Sequence, residues 1–328
     1  MRLMLLGLLA CASEKGSPDD SGSDELAGGS AWEVVAQDIP GGVLLSAWSD
    51  GDALRMVGGD LGGGPGMMTH FDGETLCWEA NVTERALWWI HGDAPGSWVA
   101  VGEAGTVLRS QDGRRTRMDV PTDATLFGVW LDGDIIWTAG GVVGSGENQG
   151  EIWKWDGSEW HAIAVNLPGV LFKVWQGWFV GQDVSYRWTG ETLETLETAG
   201  RLLTVRGRSA DDVWAVGGLT SPTVVHWESD AWAPQDTTGL DQAINGVWTA
   251  PDEHIWVAGN YGTTAFWDGS EWQRPDLPLT TDHLHAAWRH AGETWWVGGN
   301  LFQVGDNHGT ILRHGGARSI DTPAECTE

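Results

Sequence analysis

The chain has 328 residues, with 46 acidic and 18 basic side chains and a formal net charge of −28 at pH 7. An acidic surface repels phosphate groups, which argues against nucleic acid as a partner. Gly and Trp are abundant, at 48 and 24 residues, whereas Tyr occurs twice. Such a composition is typical of short strands between tight turns, so we expect an all-β fold.

The first ten residues have the features of a signal peptide. Met1-Arg2 is a short positive start, and residues 3–10 form an apolar run. Eight apolar residues are too few to cross a bilayer as a helix. We therefore assign residues 1–10 to a signal peptide.

The stretch Leu8-Leu9-Ala10-Cys11 resembles the lipobox of bacterial lipoproteins. The resemblance implies cleavage before Cys11 and acylation of its thiol, which would tether the chain to the bacterial cell envelope. Ala12 after the cysteine implies the outer membrane in that family. The alternative is an ordinary signal peptide with an incidental cysteine. Residues 11–30 would then be the lipid anchor and a flexible acidic linker, rich in Ser, Gly and Asp.

Beyond residue 30 the sequence repeats with a period of about 40 residues. Seven short runs end in glycine, at Gly58, Gly102, Gly140, Gly181, Gly217, Gly259 and Gly298. Before six of them a small or apolar residue precedes Trp, at Ala47-Trp48, Leu87-Trp88, Val129-Trp130, Val174-Trp175, Val247-Trp248 and Ala287-Trp288. A third strand closed by a turn and a fourth strand follow in most units. Four short strands per unit predict a seven-bladed β-propeller.

The two ends of the repeat region predict how the ring closes. Residues 31–40 read like a fourth strand with no preceding three, and they match residues 159–168. The last unit is weak in its own fourth strand. We expect residues 31–40 to complete the last blade, which gives a propeller over 31–323 and a tail over 324–328.

Three cysteines occur, without a CxxC motif or a Cys/His cluster of zinc-like spacing. Cys77 falls in the outer strand of the first blade, and Cys326 in the tail. In an oxidising compartment these two could form a disulfide across the seam of the ring. The alternative is two unpaired thiols.

The repeats resemble the broad clan of WD40, kelch, BNR and related secreted bacterial propellers over residues 31–323. The resemblance implies the architecture and leaves function open, because propellers host many functions. Most Trp residues occupy recurring strand positions and are interpreted as packing between blades. Trp89, Trp153 and Trp296 do not, which makes them candidates for surface contacts.

Loop lengths single out one face of the predicted propeller. Loops between the second and third strands are long in blades one, three and seven, at 58–66, 140–150 and 298–309. Equivalent loops emerge on the same face, where insertions commonly build a binding surface. The alternative is that these are merely tolerated Gly-rich insertions. The candidate ligand-binding residues are Asp60, Glu147, Asn148, Gln149, Tyr261, Asn300, Phe302, Gln303, Asp306, Asn307 and His308.

No catalytic constellation is visible in the sequence. GxSxG and EF-hand motifs are absent, and nothing selects a pair of carboxylates for glycoside hydrolysis. We expect no catalytic residue, metal or cofactor. The leading hypothesis is a monomeric, lipid-tethered, non-catalytic propeller that binds a protein or glycan through the loop-rich face. The alternative is a carbohydrate-active enzyme on a propeller scaffold.

Overall fold

The computed structural model describes residues 32–326 except 145–147, 199, 253, 304–305 and 317–318. The predicted signal peptide, the lipidation site Cys11, the acidic linker and the candidate residue Glu147 lie outside the described residues. Regular structure in the described part consists of strands, which are numbered here in chain order. They are β1 Trp32–Ile39, β2 Val43–Ser49, β3 Leu54–Gly59, β4 Gly66–Phe71, β5 Leu76–Thr83, β6 Leu87–Ala94, β7 Ser97–Gly102, β8 Thr106–Gln111, β9 Arg114–Asp119, β10 Thr125–Asp132, β11 Ile135–Val142, β12 Gln149–Trp155, β13 Trp160–Pro168, β14 Leu171–Trp175 and β15 Trp178–Gly181. The others are β16 Ser185–Trp188, β17 Leu193–Leu196, β18 Leu202–Ser209, β19 Asp212–Gly217, β20 Thr223–Glu228, β21 Ala231–Pro234, β22 Ile244–Thr249, β23 Ile255–Gly259, β24 Thr264–Trp267, β25 Trp272–Gln273, β26 His283–His290, β27 Glu293–Gly299, β28 Gly309–His314 and β29 Ala324–Glu325.

The strands form seven sheets, which are the blades of a propeller. Six blades are built from consecutive strands in chain order, from β2–β5 in blade one to β22–β25 in blade six. Blade seven has the order β26-β27-β28-β1. The prediction of an all-β, seven-bladed propeller is confirmed. Among the described residues no helix is long and apolar enough to cross a membrane.

The ring closes through the N-terminal strand, as predicted. β1 pairs antiparallel with β28, with Trp32 opposite His314. Glu33 forms an ion pair with Arg313, whose side chain is 1% exposed. The Trp32 ring stacks on Trp296 at 5.1 Å between centroids. Blade seven takes its outer strand from the N-terminal end of the described chain, so all four of its strands are present and paired.

The C-terminal tail attaches to blade one. β29 pairs parallel with β5, with Ala324 opposite Cys77, so this sheet has a fifth strand. The Cys326 amide donates to the Trp78 carbonyl oxygen at 2.9 Å. Cys77 and Cys326 are joined by a disulfide that spans 249 positions of sequence. The tail therefore extends one of the sheets of the propeller.

The repeated glycines are explained by a bulge in the innermost strand of every blade. The pairing of that strand with the second strand shifts directly after a Leu or Ile, for example between Leu44 and Ser46. A Cβ at Gly58 would lie 1.7 Å from the Val43 carbonyl oxygen, and the equivalent glycines of the other blades meet the same obstruction. A side chain at this position would collide with the neighbouring backbone.

The bulge also corrects the predicted register of blade two. Leu87 pairs with Gly102 in the same way as Leu44 pairs with Gly58, so Trp88 directly follows the bulge Leu. The counterpart of Trp48 is then His91, and the predicted equivalence of Leu87-Trp88 with Ala47-Trp48 is wrong. His91 keeps the packing role, because its ring stacks on Trp130 at 3.9 Å.

Three Trp residues predicted as candidates for surface contacts are in fact buried. Trp89 is 7% exposed, Trp153 9% and Trp296 0%. The Trp296 indole also donates to the Val257 carbonyl oxygen of the preceding blade at 2.8 Å. These side chains pack within and between blades.

Candidate ligand-binding funnel

A cavity of about 820 Å³ opens at the centre of the face that carries the long loops. Its wall is formed by residues that directly follow the bulge Leu or Ile of five innermost strands, and its rim by residues of the loops of blades three and seven. We call this cavity the funnel. The wall residues are Trp88, Phe127, Phe172, Leu203 and His285, and the apolar rim residues are Val142, Val143 and Phe302.

The wall of the funnel is largely aromatic. The ring centroids of Trp88 and Phe127 are 4.8 Å apart, and those of Phe127 and Phe172 are 5.6 Å apart. Trp88 also contacts His285 at 5.9 Å. Each of these aromatic side chains comes from a different blade. The circular arrangement of the blades therefore places an aromatic surface around one cavity. Such a wall favours an apolar ligand.

His285 is a neutral polar group in this wall. Its Nδ1 donates to the Leu45 carbonyl oxygen at 2.5 Å. Burial, with a further contribution from the nearby charge of Lys173, lowers the pKa of His285 to about 3. The ring therefore stays uncharged at physiological pH, with Nε2 as an acceptor.

The innermost strands of the blades surround a central channel that lies beneath the wall of the funnel. The amine of Lys173 lies in this channel. This residue follows Phe172 in the innermost strand of blade four and is 3% exposed. Its Nζ donates to the Phe127 carbonyl oxygen at 2.9 Å and lies 4.1 Å from the centroid of the Trp89 ring. Burial lowers the pKa of Lys173 to about 7. Close to neutrality this group therefore exchanges between ammonium and amine.

A second cation lies further along the innermost strands. The Arg206 guanidinium stands 4.1 Å from the centroid of the Trp288 ring, across the channel between blades five and seven. Burial lowers the pKa of Arg206 to about 10, which leaves it charged at neutral pH. The lowered pKa of the buried His91 reflects burial first and then the charge of Arg206. The channel thus combines aromatic rings with two cations.

Five of the predicted binding residues lie together in a separate cleft at the seam between blades seven and one. The cleft has a volume of about 640 Å³ and includes Asp38 of the closing strand. The Leu61 amide donates to Asn307 Oδ1 at 3.3 Å, which couples the two long loops. The predicted residues in this cleft are Asp60, Gln303, Asp306, Asn307 and His308.

Other predicted residues are distributed differently. Asn148 lines the funnel and donates to Gln182 Oε1 at 2.7 Å. Gln149 begins β12 and is exposed. Asn300 is only 7% exposed, and its side-chain oxygen accepts from the His308 amide at 2.7 Å. Asn300 therefore shapes its loop from within.

Tyr261 and Phe302 both contact the ring of His283. The ring centroids of Tyr261 and His283 are 4.7 Å apart, and those of Phe302 and His283 are 4.6 Å apart. Both aromatic side chains are mainly exposed, at 56% and 76%. They connect the rim of the funnel to the loop of blade six.

Exposed apolar side chains concentrate on the face around the funnel. Six of the eight large apolar side chains exposed in the described residues lie there, and the other two, Val34 and Val165, lie on outermost strands. All six lie in loops, in connections or at the end of a strand on this face. They are Val142, Val143, Leu219, Tyr261, Leu277 and Phe302.

Sequence reasoning missed the wall of the funnel and Lys173. The signal that would have identified the wall is the residue directly after the Leu or Ile that precedes each bulge. The misplaced register of blade two hid this signal, because it assigned Trp88 to the packing positions.

No protein-family model matches the chain, and no curated protein matches it in sequence. Solved structures match it in architecture. YCF48 from Cyanidioschyzon merolae has a TM-score of 0.62 and 17% identity, covering 87% of this chain and 98% of that one. The WD40 β-propeller domain of Doa1 has a TM-score of 0.62 and 10% identity, covering 86% and 97%.

An extracellular domain of a putative one-component system from B. thetaiotaomicron, BT4673, has a TM-score of 0.58 and 12% identity. The match covers 85% of this chain and 39% of that one. At these identities the similarity establishes the propeller fold alone.

Proposed function

We propose that this protein is a non-catalytic binding module that holds a protein partner against the face around the funnel. The observation that carries the proposal is the concentration of exposed apolar side chains on that face. Apolar groups gathered on one side of a soluble domain mark an interaction surface.

The chemistry of the funnel favours a protein partner over a glycan substrate. Glycoside hydrolysis commonly uses two carboxylates beside the scissile bond. Among the described residues that line the funnel, the one carboxylate is that of Asp123, which is exposed. A propeller of the same architecture, YCF48, has been solved with a D1 peptide, which is consistent with a peptide or protein ligand here.

The proposal is tested by crosslinking and pull-down from cells of the native host. Val143→Asp and Phe302→Asp place charges on the rim of the funnel, where the side chains are 66% and 76% exposed. We expect both variants to lose the partner captured by the wild type. Val165→Asp is the matched control, because Val165 is 46% exposed on an outermost strand away from this face. Equal capture by all three variants would contradict the proposal.

We further propose that Cys11 is acylated and that the propeller is tethered to the outer membrane of a bacterial envelope. The support is the lipobox-like stretch Leu8-Leu9-Ala10-Cys11 followed by Ala12 and an acidic linker. Two or three acyl chains suffice for stable anchoring. Growth with alkyne-tagged palmitate should label the wild type and leave Cys11→Ser unlabelled and soluble. Labelling of Cys11→Ser, or an unlabelled wild type, would contradict the anchor.

A further inference from the structure

The ammonium of Lys173 has unused hydrogen-bonding capacity in the channel. An ammonium group carries three N–H donors. In the described part of the chain, the one oxygen acceptor within hydrogen-bonding distance is the Phe127 carbonyl, at 2.9 Å. The Trp89 ring covers another side of the group at 4.1 Å. The close approach of strands β10 and β14 fixes this position, since a Cβ at Gly128 would lie 2.7 Å from Lys173 Cα.

The positive charge in the channel has no described counter-charge. Burial is the sole cause of the lowered pKa of Lys173 and also of Arg206, without an offsetting carboxylate. Burying an ion without a partner costs several kcal/mol. This acidic protein therefore carries positive charge in its central channel, which a ligand can reach through the funnel.

The size and walls of the funnel define the rest of the ligand. A cavity of about 820 Å³ accommodates a small molecule or a few side chains. Its aromatic wall favours binding of an apolar group, and the amine of Lys173 below the wall favours binding of an anion. A free phosphate would gain little binding free energy from the aromatic rings. A carboxylate on an apolar group can contact both the aromatic rings and the amine.

We propose that the funnel receives a carboxylate carried on an apolar group, and that Lys173 Nζ donates to that carboxylate. This proposal rests on the proposed function, because it specifies what the partner inserts into the funnel. The partner would then present an apolar segment that carries a carboxylate at its tip.

Other charged and titratable groups near Lys173 respond differently to pH. His285 remains neutral, since its pKa is about 3, and Arg206 remains charged below a pKa of about 10. His91, beside Arg206, is also held neutral by burial. Asp123 and Arg201 line the funnel as well, and Asp123 is exposed at the mouth. Between pH 6 and 9, Lys173 is therefore the channel group whose charge changes.

The test measures binding of 4-phenylbutanoate and its neutral amide to the full chain by calorimetry. At pH 6 we expect the carboxylate to bind at least about tenfold more tightly than the amide, as for a charge-assisted contact of some 1.4 kcal/mol. The preference should shrink as the pH rises to 9, because the ammonium loses its proton. Lys173→Met should remove the preference.

Lys154→Met is the matched control, since Lys154 is the other lysine beyond residue 30 and also lies over an aromatic ring, 5.1 Å from Trp137. It should keep the preference. If Lys173→Met fails to fold, the pH series on the wild type and the Lys173→Arg variant decide the question, because arginine keeps its charge and should make the preference independent of pH.

Three results would overturn the proposal: equal affinity for acid and amide at pH 6, no binding of either, or displacement of 4-phenylbutanoate by inorganic phosphate at equal concentration. The last result would assign the channel to any small anion. If any one of these results is obtained while Val143→Asp and Phe302→Asp still abolish partner capture, the proposed function stands and the carboxylate assignment falls. If capture survives those variants, the proposed function itself falls.

Discussion

Lys173 and Trp89 meet across the central channel from blades four and two, with the ammonium nitrogen 4.1 Å from the centroid of the indole. Between them lies Gly128 of blade three, which has no side chain to separate the strands. The cation–π contact and one hydrogen bond offset part of the cost of burying the amine. The ring of blades therefore holds a cation where its charge remains available to a ligand.

Stability should depend on pH through Lys173. Burial lowers its folded pKa to about 7, below the ordinary value of 10.5. Because the unfolded chain binds this proton more tightly, the free energy of unfolding should rise between about pH 7 and pH 10.5, by on the order of 5 kcal/mol in full. Urea unfolding at pH 6.5, 8 and 9.5 measures this. Lys173→Met should flatten the rise and Lys154→Met should keep it; identical slopes in all three proteins would contradict the burial of a titrating amine.

The corrected register of blade two predicts unequal costs for two Trp→Ala changes. Trp48 is 3% exposed in the core, and its removal should cost about 3–5 kcal/mol of unfolding free energy. Trp88 is half-buried in the wall of the funnel, so Trp88→Ala should cost less than about half of that. Trp88→Ala should also weaken partner capture. Equal destabilisation by the two variants would restore the packing role first expected for Trp88.

The disulfide should stabilise the seam of the ring. Cys77 and Cys326 enclose 249 positions of sequence, and a crosslink over so long a loop contributes on the order of 5 kcal/mol in the chain-entropy model. The paired variant Cys77→Ser/Cys326→Ser should unfold at lower urea concentration than the oxidised wild type. Reduction of the wild type should reproduce the loss and leave the paired variant unaffected. Peptide mapping that finds both cysteines alkylated without reduction would refute the crosslink.

The closing strand should depend on the ion pair of Glu33 with Arg313. Arg313 is 1% exposed, and it also faces Glu293 at 3.3 Å. Since Glu293 remains and Glu33 is partly exposed, Glu33→Gln should cost about 2 kcal/mol, less than the removal of a sole partner. Glu74→Gln, at an exposed turn of blade one, is the control and should be neutral. A neutral Glu33→Gln would mean that the pairing of β1 with β28 needs no charge.

The architecture was predictable from sequence because each blade repeats the same steric demands. The glycine at Gly58 and its equivalents recurs because the bulge brings a carbonyl oxygen against its Cα, and the unmatched strand before Pro40 indicates the closure. Both signals are local, so a single sequence contains them.

The funnel was not predictable in the same way. The bulge moves Trp88 out of the recurring packing position and His91 into it, and nothing in the spacing of Trp residues reveals a shifted pairing. Lys173 acquires its role from Phe127 and Trp89, which lie 46 and 84 positions away in two other blades. Contacts across the channel depend on closure of the whole ring, and no short pattern encodes them.

Hydroxyl-radical footprinting of the protein in intact cells, compared with the purified protein, tests the central claim most directly. Radicals oxidise exposed apolar side chains, and two groups of these are available, one around the funnel and one on outermost strands. A partner on the funnel face should protect Val142, Val143 and Phe302 in cells while Val34 and Val165 remain oxidised as in the purified protein. Protection of Val34 and Val165 with an unprotected funnel rim would contradict the account.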